Sequence, residues 1–131
     1  MTTARVIDEA KRLAGLGLFG DSWEVLERLS PAEWSGPAVR VVRLEICKKL
    51  GCWELGQDVA RGISHWDTLC HREAAGEFHL AHAIELCRSG DVAGARAAVR
   101  ALTMVWPDGR EVAFDSEALA LLWGSAMSSP S

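Results

Sequence analysis

Three glycine-containing turns recur along the chain and constrain its fold more than any other feature. They lie at Gly20, Gly51 and Gly90, so the intervals between them are 31 and 39 residues. On both sides of each turn the apolar residues follow the period of an amphipathic helix, and no stretch alternates cleanly as a strand does. Helices this short, joined this tightly, must lie antiparallel to each other. Because one such pair cannot bury its own apolar face, the pattern predicts a stacked array of helical pairs.

The breaks in the pattern predict an all-α chain of about seven helices that form one domain over residues 1–127. Three helical pairs are expected at about 3–31, 37–64 and 73–107, followed by a terminal helix at about 110–127 and a polar tail at 128–131. Within the pairs, helices are expected at about 3–15, 21–30, 37–50, 53–64, 73–88 and 91–105, with a loop or irregular turn at 65–72.

Charge and hydropathy exclude several classes of function. The net charge is −4, whereas a protein that binds a nucleic-acid backbone needs a basic surface. No apolar run approaches the ~20 residues of a membrane-spanning helix. The N-terminal segment contains acidic residues and no long apolar stretch, so no secretory signal is expected. We therefore expect a cytoplasmic protein that binds neither nucleic acid nor membrane.

The four cysteines indicate a reducing compartment. Cys47, Cys52, Cys70 and Cys87 form no Cys-x-x-Cys pair, and the chain has no feature of a small secreted protein. We expect reduced thiols, mainly buried as small apolar side chains.

The third pair carries the clearest motif. Ala83 lies midway along its first helix, Gly90-Asp91 form the turn, Ala95 lies in the second helix and Pro107 ends it. In these residues the pair resembles a tetratricopeptide repeat, although Leu102 stands where that family has a second small residue. Small residues let two helices approach closely. Asp91 can cap the second helix and Pro107 stops it.

The other two pairs resemble the family less closely. The second pair has Gly51 at its turn, Trp53 in the aromatic position and Gly56 in the small position, but Thr68 stands near the place of the closing proline. The first pair keeps Gly20-Asp21 and Pro31, with Val25 where a small residue is expected. The resemblance covers nearly the whole chain and implies a right-handed superhelix that binds other proteins.

The resemblance also implies a binding groove. In tetratricopeptide proteins the first helices of the pairs line a concave surface that takes a peptide. The matching residues here are Ala38, Val41, Glu45, Lys48 and Lys49 in the second pair, and Glu77, Leu80, Ile84, Cys87 and Arg88 in the third. Some family members hold the C-terminal carboxylate of heat-shock chaperones with a basic clamp. That clamp is absent, because its positions carry Ala14, Val42, Glu77 and Ala81.

The terminal helix suggests a second contact surface. Its segment 118–123 is six apolar residues in a row, whereas the last helix of a repeat array usually has a polar outer face. We expect Leu119, Leu122 and Trp123 to remain exposed and to support a homodimer or docking into a larger complex. The alternative is that this helix packs into the core.

Chemical motifs are weak. His79 and His82 lie one turn apart, with Cys70-His71 or Glu85 nearby, but a zinc site needs three or four ligands and the familiar spacings are absent. No nucleophile motif or phosphate loop is present, so we expect no metal, no cofactor and no catalysis.

Six tryptophans are expected to serve mainly in packing. Trp23, Trp53 and Trp106 are expected to fill gaps between helical pairs. Trp34 and Trp66 fall in loops, where one is expected to pack beneath its loop and the other to be exposed.

Together these observations predict a non-enzymatic interaction module, an adaptor that binds a peptide or protein surface in its groove. The alternatives are a secretion-type chaperone that holds an unfolded partner, and a structural subunit or homodimer that assembles through the last helix. A metal or small-molecule sensor built around His79 and His82 is the least favoured.

Overall fold

The computed structural model describes residues 2–34, 36–63, 68–119 and 122. These residues form helices and turns with no strand, so the all-α prediction is confirmed. Their α-helices are α1 (Thr3–Gly15), α2 (Phe19–Leu26), α3 (Pro31–Trp34), α4 (Pro37–Leu50), α5 (Trp53–Ala60), α6 (Leu69–Arg88), α7 (Val92–Val105) and α8 (Arg110–Asp115). Two 3-10 turns, Pro107–Gly109 and Glu117–Leu119, flank α8. None of the described helices is long and apolar enough to cross a membrane.

The helices pack as pairs in chain order. α1 packs on α2, α4 on α5, and α6 on α7. The first helices of the pairs also contact each other in sequence, since α4 touches both α1 and α6. Each second helix contacts the first helix of the next pair, as α2 does with α4 and α5 with α6. Every pair therefore covers the apolar face of its neighbour, which is how short helices bury enough surface to be stable.

The second helices of the three pairs, together with the turns that follow α2 and α5, bury equivalent positions. The buried residues recur with the spacing i, i+3, i+4 and i+7, and they are Ser22, Val25, Leu26 and Leu29; Gly56, Val59, Ala60 and Ile63; and Ala95, Ala98, Val99 and Leu102. The first of each set is a small residue, at intervals of 34 and 39 residues. The three pairs are thus built on one packing register.

This register corrects the position expected for the small residue of the first pair. Ser22, and not Val25, occupies that position, and it is 0% exposed. Its hydroxyl donates a hydrogen bond to the carbonyl of Ala10 at 2.7 Å, so the polar atom is satisfied inside the core. In the second pair, a Cβ on Gly56 would lie 2.3 Å from the Phe78 ring. Close approach of the two helices therefore requires a small residue here.

Tryptophans fill the spaces between the pairs, as expected. Trp23 packs against both the first and the second core cluster, and Trp53 and Trp106 pack against the second. Trp106 covers Gly76, where a Cβ would lie 2.6 Å from the indole ring. The absence of a side chain at this glycine in the middle of α6 thus leaves the space that the Trp106 ring occupies.

Several helix boundaries differ from the prediction. α6 begins at Leu69 and not at 73, because the hydroxyl of Thr68 accepts from the backbone N–H of His71 and caps the helix. Residues 64–67, with Trp66, lie outside the described residues. α2 and α5 end at Leu26 and Ala60, several residues earlier than expected. The loop expected after the first pair contains the short helix α3.

The terminal helix expected at about 110–127 is wrong for residues 116–119, whereas Leu122 is helical. α8 ends at Asp115, Ser116 is extended, and a 3-10 turn follows. Leu119 and Leu122 are 0% and 1% exposed, so the expectation that they stand in water is also wrong. Both belong to the third core cluster, which is rich in alanine and includes Ala83 and Ala95. The leucines fill the space that these alanines leave. Residues 120, 121 and 123–131, with Trp123 and the expected tail, lie outside the described residues.

Candidate functional site

The structure brings part of the expected groove together. Lys48, Lys49, Ile84 and Arg88 line one cavity of about 550 Å³ between α4 and α6, with Trp53 in the same lining. We call this cavity the α4–α6 groove. Its cations occupy the last turns of their helices, where the helix dipole favours positive charge.

The other expected groove residues are placed differently. Glu45 reaches the α4–α6 groove through Lys48, since its Oε2 lies 3.0 Å from the Lys48 Nζ. Leu80 packs against the third core cluster and Glu77 is exposed. Leu80, Glu77 and Val41 are not among the residues described as lining the groove. The half-buried Ala38 and Cys87 are likewise outside it.

Two larger cavities lie between successive second helices and were not predicted. The first, of about 750 Å³, is bounded by the end of α2, by α3, by α4 and by α5. The second, also of about 750 Å³, is bounded by α5, α6 and α7. We call them the Arg43 groove and the His82 groove, after a residue that each contains. Both have a larger volume than the α4–α6 groove.

The two cavities are equivalent places in successive pairs. With the intervals of the buried register, Leu29 corresponds to Ile63, and both line their cavity. The floor residues also correspond: Arg40 matches His79 and Arg43 matches His82. The fold therefore repeats the same groove, with arginines on its floor in one copy and histidines in the other. The signal was present in the sequence, since Arg40 and Arg43 precede the two histidines by the same 39 residues that separate Gly51 from Gly90.

The His82 groove has an uncharged polar floor. His82 is 7% exposed and stacks on Trp53, with ring centroids 5.2 Å apart and planes within 7°. Its Nδ1 lies 3.3 Å from Gln57 Nε2. Burial, together with the neighbouring His82, lowers the pKa of His79 to about 4, and burial also lowers the pKa of His82. Both imidazoles are therefore neutral at pH 7.

The part of the chain that the structure describes places no third metal ligand beside these histidines. Among the described residues, no group of three or more His, Cys, Asp and Glu side chains is arranged to hold a metal ion. His71 lies at the start of α6, more than two turns from His79, and its Nδ1 is 2.9 Å from the Thr68 hydroxyl. The floor of the His82 groove offers two neutral imidazoles one turn apart.

The Arg43 groove is built around a guanidinium between aromatic rings. The Arg43 Cζ lies 4.3 Å from the centre of the Trp34 ring and 5.3 Å from that of Trp23. The two rings meet edge to face, 5.6 Å apart. Trp34 is held in place because its Nε1 donates to the carbonyl of Leu26 at 2.7 Å. Trp34, which was expected in a loop, ends the short helix α3 and packs against the first core cluster.

One side-chain nitrogen of Arg43 lacks a hydrogen bond within the described residues. Its Nε is buried and has no hydrogen-bond partner in the part of the chain that the structure describes. Burial is also the main cause that lowers the pKa of Arg43. Its neighbour Arg40 is satisfied by donating to the carbonyl of Gly62. Glu27 and Asp58 line the same cavity, and Asp58 is paired with Arg61 at 2.7 Å.

The four cysteines differ in how far their side chains are buried. Cys47 is buried, and desolvation raises the pKa of its thiol to about 11, as expected for a structural side chain. Cys87 is half-buried. Cys52 and Cys70 are exposed, so the expectation of burial is wrong for these two.

Compared with protein-family models, with curated proteins and with solved structures, the chain matches none of them.

Proposed function

We propose that this protein is a non-enzymatic interaction module that binds a peptide segment of a partner protein in the α4–α6 groove. The proposal depends on one observation. Lys48 and Lys49, at the end of α4, line the same cavity as Ile84 and Arg88, at the end of α6. A tetratricopeptide-like array, which the stacked pairs and the shared buried register support, commonly uses the surface of its first helices in this way.

The charges that line the groove favour an acidic peptide, because Lys48, Lys49 and Arg88 outnumber the one carboxylate of its described lining, Glu85. Lys49 and Arg88 are exposed, and no ion pair involves either of them within the described ranges. Lys48 is already paired with Glu45. Ile84 and Trp53 provide apolar surface beside these charges. An extended segment with alternating acidic and apolar side chains would satisfy both features.

The exposed thiols of Cys52 and Cys70 support a reducing compartment, and we place the protein in the cytoplasm.

Assembly through the last helix is not favoured, because Leu119 and Leu122 are core residues.

The test is selection of random peptides displayed on phage against the purified chain. The groove variant carries Lys49→Glu with Arg88→Glu. The matched control carries Arg96→Glu with Arg100→Glu, two exposed arginines of α7 that make the same change in net charge. All three proteins are checked by circular dichroism. We expect acidic peptides to be enriched, with affinity reduced at least about tenfold in the groove variant and retained in the control.

Two results would overturn the proposal. One is a selection that enriches no peptide family on the wild-type protein. The other is an equal loss of binding in the groove variant and the control, since net charge and not the groove would then explain the binding.

A further inference from the structure

We propose that the Arg43 groove is a binding site for a carboxylate that is attached to an apolar group. The site uses different side chains from the α4–α6 groove and does not depend on the function proposed above. It is built by four helices, of which α4 supplies its two arginines.

The first argument is the unsatisfied donor. Buried polar atoms almost always have a partner, so one without a partner in the protein requires an explanation, and a bound acceptor is one. Arg43 Nε is such an atom. The guanidinium is held by Trp34 and Trp23, so it is positioned in advance of any ligand.

The second argument is the missing counter-ion. No carboxylate in the described parts of the chain lies within ion-pair distance of Arg43. The matching position in the next pair is the neutral His82, so the packing register does not itself require a cation. A guanidinium binds the two oxygens of a carboxylate in a planar, bidentate geometry.

The third argument separates a carboxylate from a phosphate. Arg40 and Arg43 share the groove with Glu27 and Asp58, and Asp58 is paired with Arg61, so these five side chains carry a formal charge of +1. One negative charge beside Arg43 balances this, whereas the second charge of a dianion would meet the two carboxylates without a free cation to offset it.

The fourth argument concerns the rest of the ligand. The other walls of the groove are apolar or aromatic, and they consist of Leu29, Pro31, Trp34 and Val59. These surfaces suit a branched or aromatic group next to the carboxylate. A free organic acid and the last residue of a peptide with an apolar side chain share this chemistry.

The test is an NMR titration of the ¹⁵N-labelled chain, read at the indole N–H of Trp34. That signal is assigned from the Trp34→Phe variant. The probes are sodium 3-phenylpropionate, the uncharged 3-phenylpropionamide, inorganic phosphate, and the tripeptide Ala-Ala-Phe with a free or an amidated C-terminus. The variants are Arg43→Gln and Arg43→Lys, with Arg96→Gln on α7 as the matched control.

We expect 3-phenylpropionate to shift the Trp34 indole signal saturably, and the amide and phosphate to bind at least about tenfold more weakly. Arg43→Gln loses this binding, Arg43→Lys keeps only part of it because the ammonium lacks the planar fork, and Arg96→Gln binds like the wild type. Tighter binding of the free tripeptide than of 3-phenylpropionate identifies a peptide terminus as the source, and weaker binding identifies a free acid.

Three outcomes would overturn the inference. The first is the absence of a saturable shift with any carboxylate, which would leave ordered water as the partner of Nε. The second is equal binding of the acid, its amide and phosphate. The third is unchanged binding by Arg43→Lys and by any Arg43→Gln protein that remains folded.

Discussion

At the scale of single residues, burial changes the chemistry of side chains that look ordinary in the sequence. His79 and His82 share a groove with Glu54 and Arg61 of α5 and with Asp91 at the start of α7. Desolvation outweighs these charges, since it is the largest cause of the lowered pKa of both histidines. A neutral imidazole in the folded state makes stability depend on pH.

The first prediction follows from His79. Its pKa is about 4 in the folded protein and the ordinary 6.5 in the unfolded chain, so between these values the unfolded state binds more protons. The contribution of His79 to the free energy of unfolding is therefore complete above pH 6.5. It is lost as the pH is lowered towards 4, so the free energy of unfolding falls by on the order of 2–3 kcal/mol. Urea denaturation at several pH values measures it. His79→Gln should remove most of this slope and His71→Gln, outside the groove, should keep it. A flat profile in the wild type would contradict the account.

Two glycines give a second, paired prediction. A Cβ at Gly20 in α2 meets nothing within 4 Å, whereas a Cβ at Gly56 in α5 meets the Phe78 ring at 2.3 Å. Gly20→Ala should raise the free energy of unfolding by up to about 1 kcal/mol, because alanine restricts the unfolded chain. Gly56→Ala should lower it by about 1–3 kcal/mol through overpacking. Thermal or urea denaturation of both variants checks the signs. Equal effects would mean that α5 can move away from Phe78.

At the scale of elements, the starts predicted for α4, α5 and α7 lie within one residue of the observed starts, because Gly36, Gly51 and Gly90 mark the turns before them. Asp91 was expected to cap the helix after Gly90, and its Oδ1 accepts from the Gly94 N–H at 2.8 Å. Thr68 caps α6 in the same way, but the sequence was interpreted there as a loop. The ends of α2 and α5 were predicted too late because apolar periodicity continues through Leu29 and Ile63, which are buried in turns beyond the helices.

The cap of α7 gives the third prediction. Asp91→Ala leaves the Gly94 N–H without its acceptor and should lower the free energy of unfolding by about 1 kcal/mol. Asp91→Asn keeps the side-chain acceptor and should cost clearly less, which separates capping from charge. Urea denaturation at neutral pH gives both values. An equally large loss in the two variants would assign the effect to charge at the helix terminus.

At the scale of the whole molecule, the segment after α8 completes the core of the third pair. Leu119 and Leu122 pack in a cluster with Ala83, Ala95 and Ala113. The 3-10 turn that contains Leu119 packs on α6, and the small residues Ala95 and Ala98 of α7 belong to the same cluster. Leu119 and Leu122 are therefore core side chains, and we expect them to contribute to stability.

The fourth prediction tests this role. Leu119→Ala and Leu122→Ala each remove a fully buried side chain and should lower the free energy of unfolding by about 2–5 kcal/mol. Met104→Ala is the control, because Met104 is 79% exposed and should change it by less than about 0.5 kcal/mol. Denaturant titration with size-exclusion chromatography separates unfolding from a change in oligomeric state. Stable variants with altered oligomeric state would restore the docking hypothesis.

The sequence by itself determined the helical class, the turns at Gly51 and Gly90, and the gap-filling tryptophans. These depend on local periodicity, on turn residues and on side-chain volume, which neighbouring positions encode. The turn predicted at Gly20 is wrong, because Gly20 lies inside α2 and the left-handed glycine of the first turn is Gly17.

Tertiary structure alone decided the burial of Leu119 and the enclosure of Arg43 by two tryptophans from different segments. Both depend on the space left between helices far apart in the chain. Arg43 looks like any surface arginine in the sequence, because its environment exists only after the pairs have stacked.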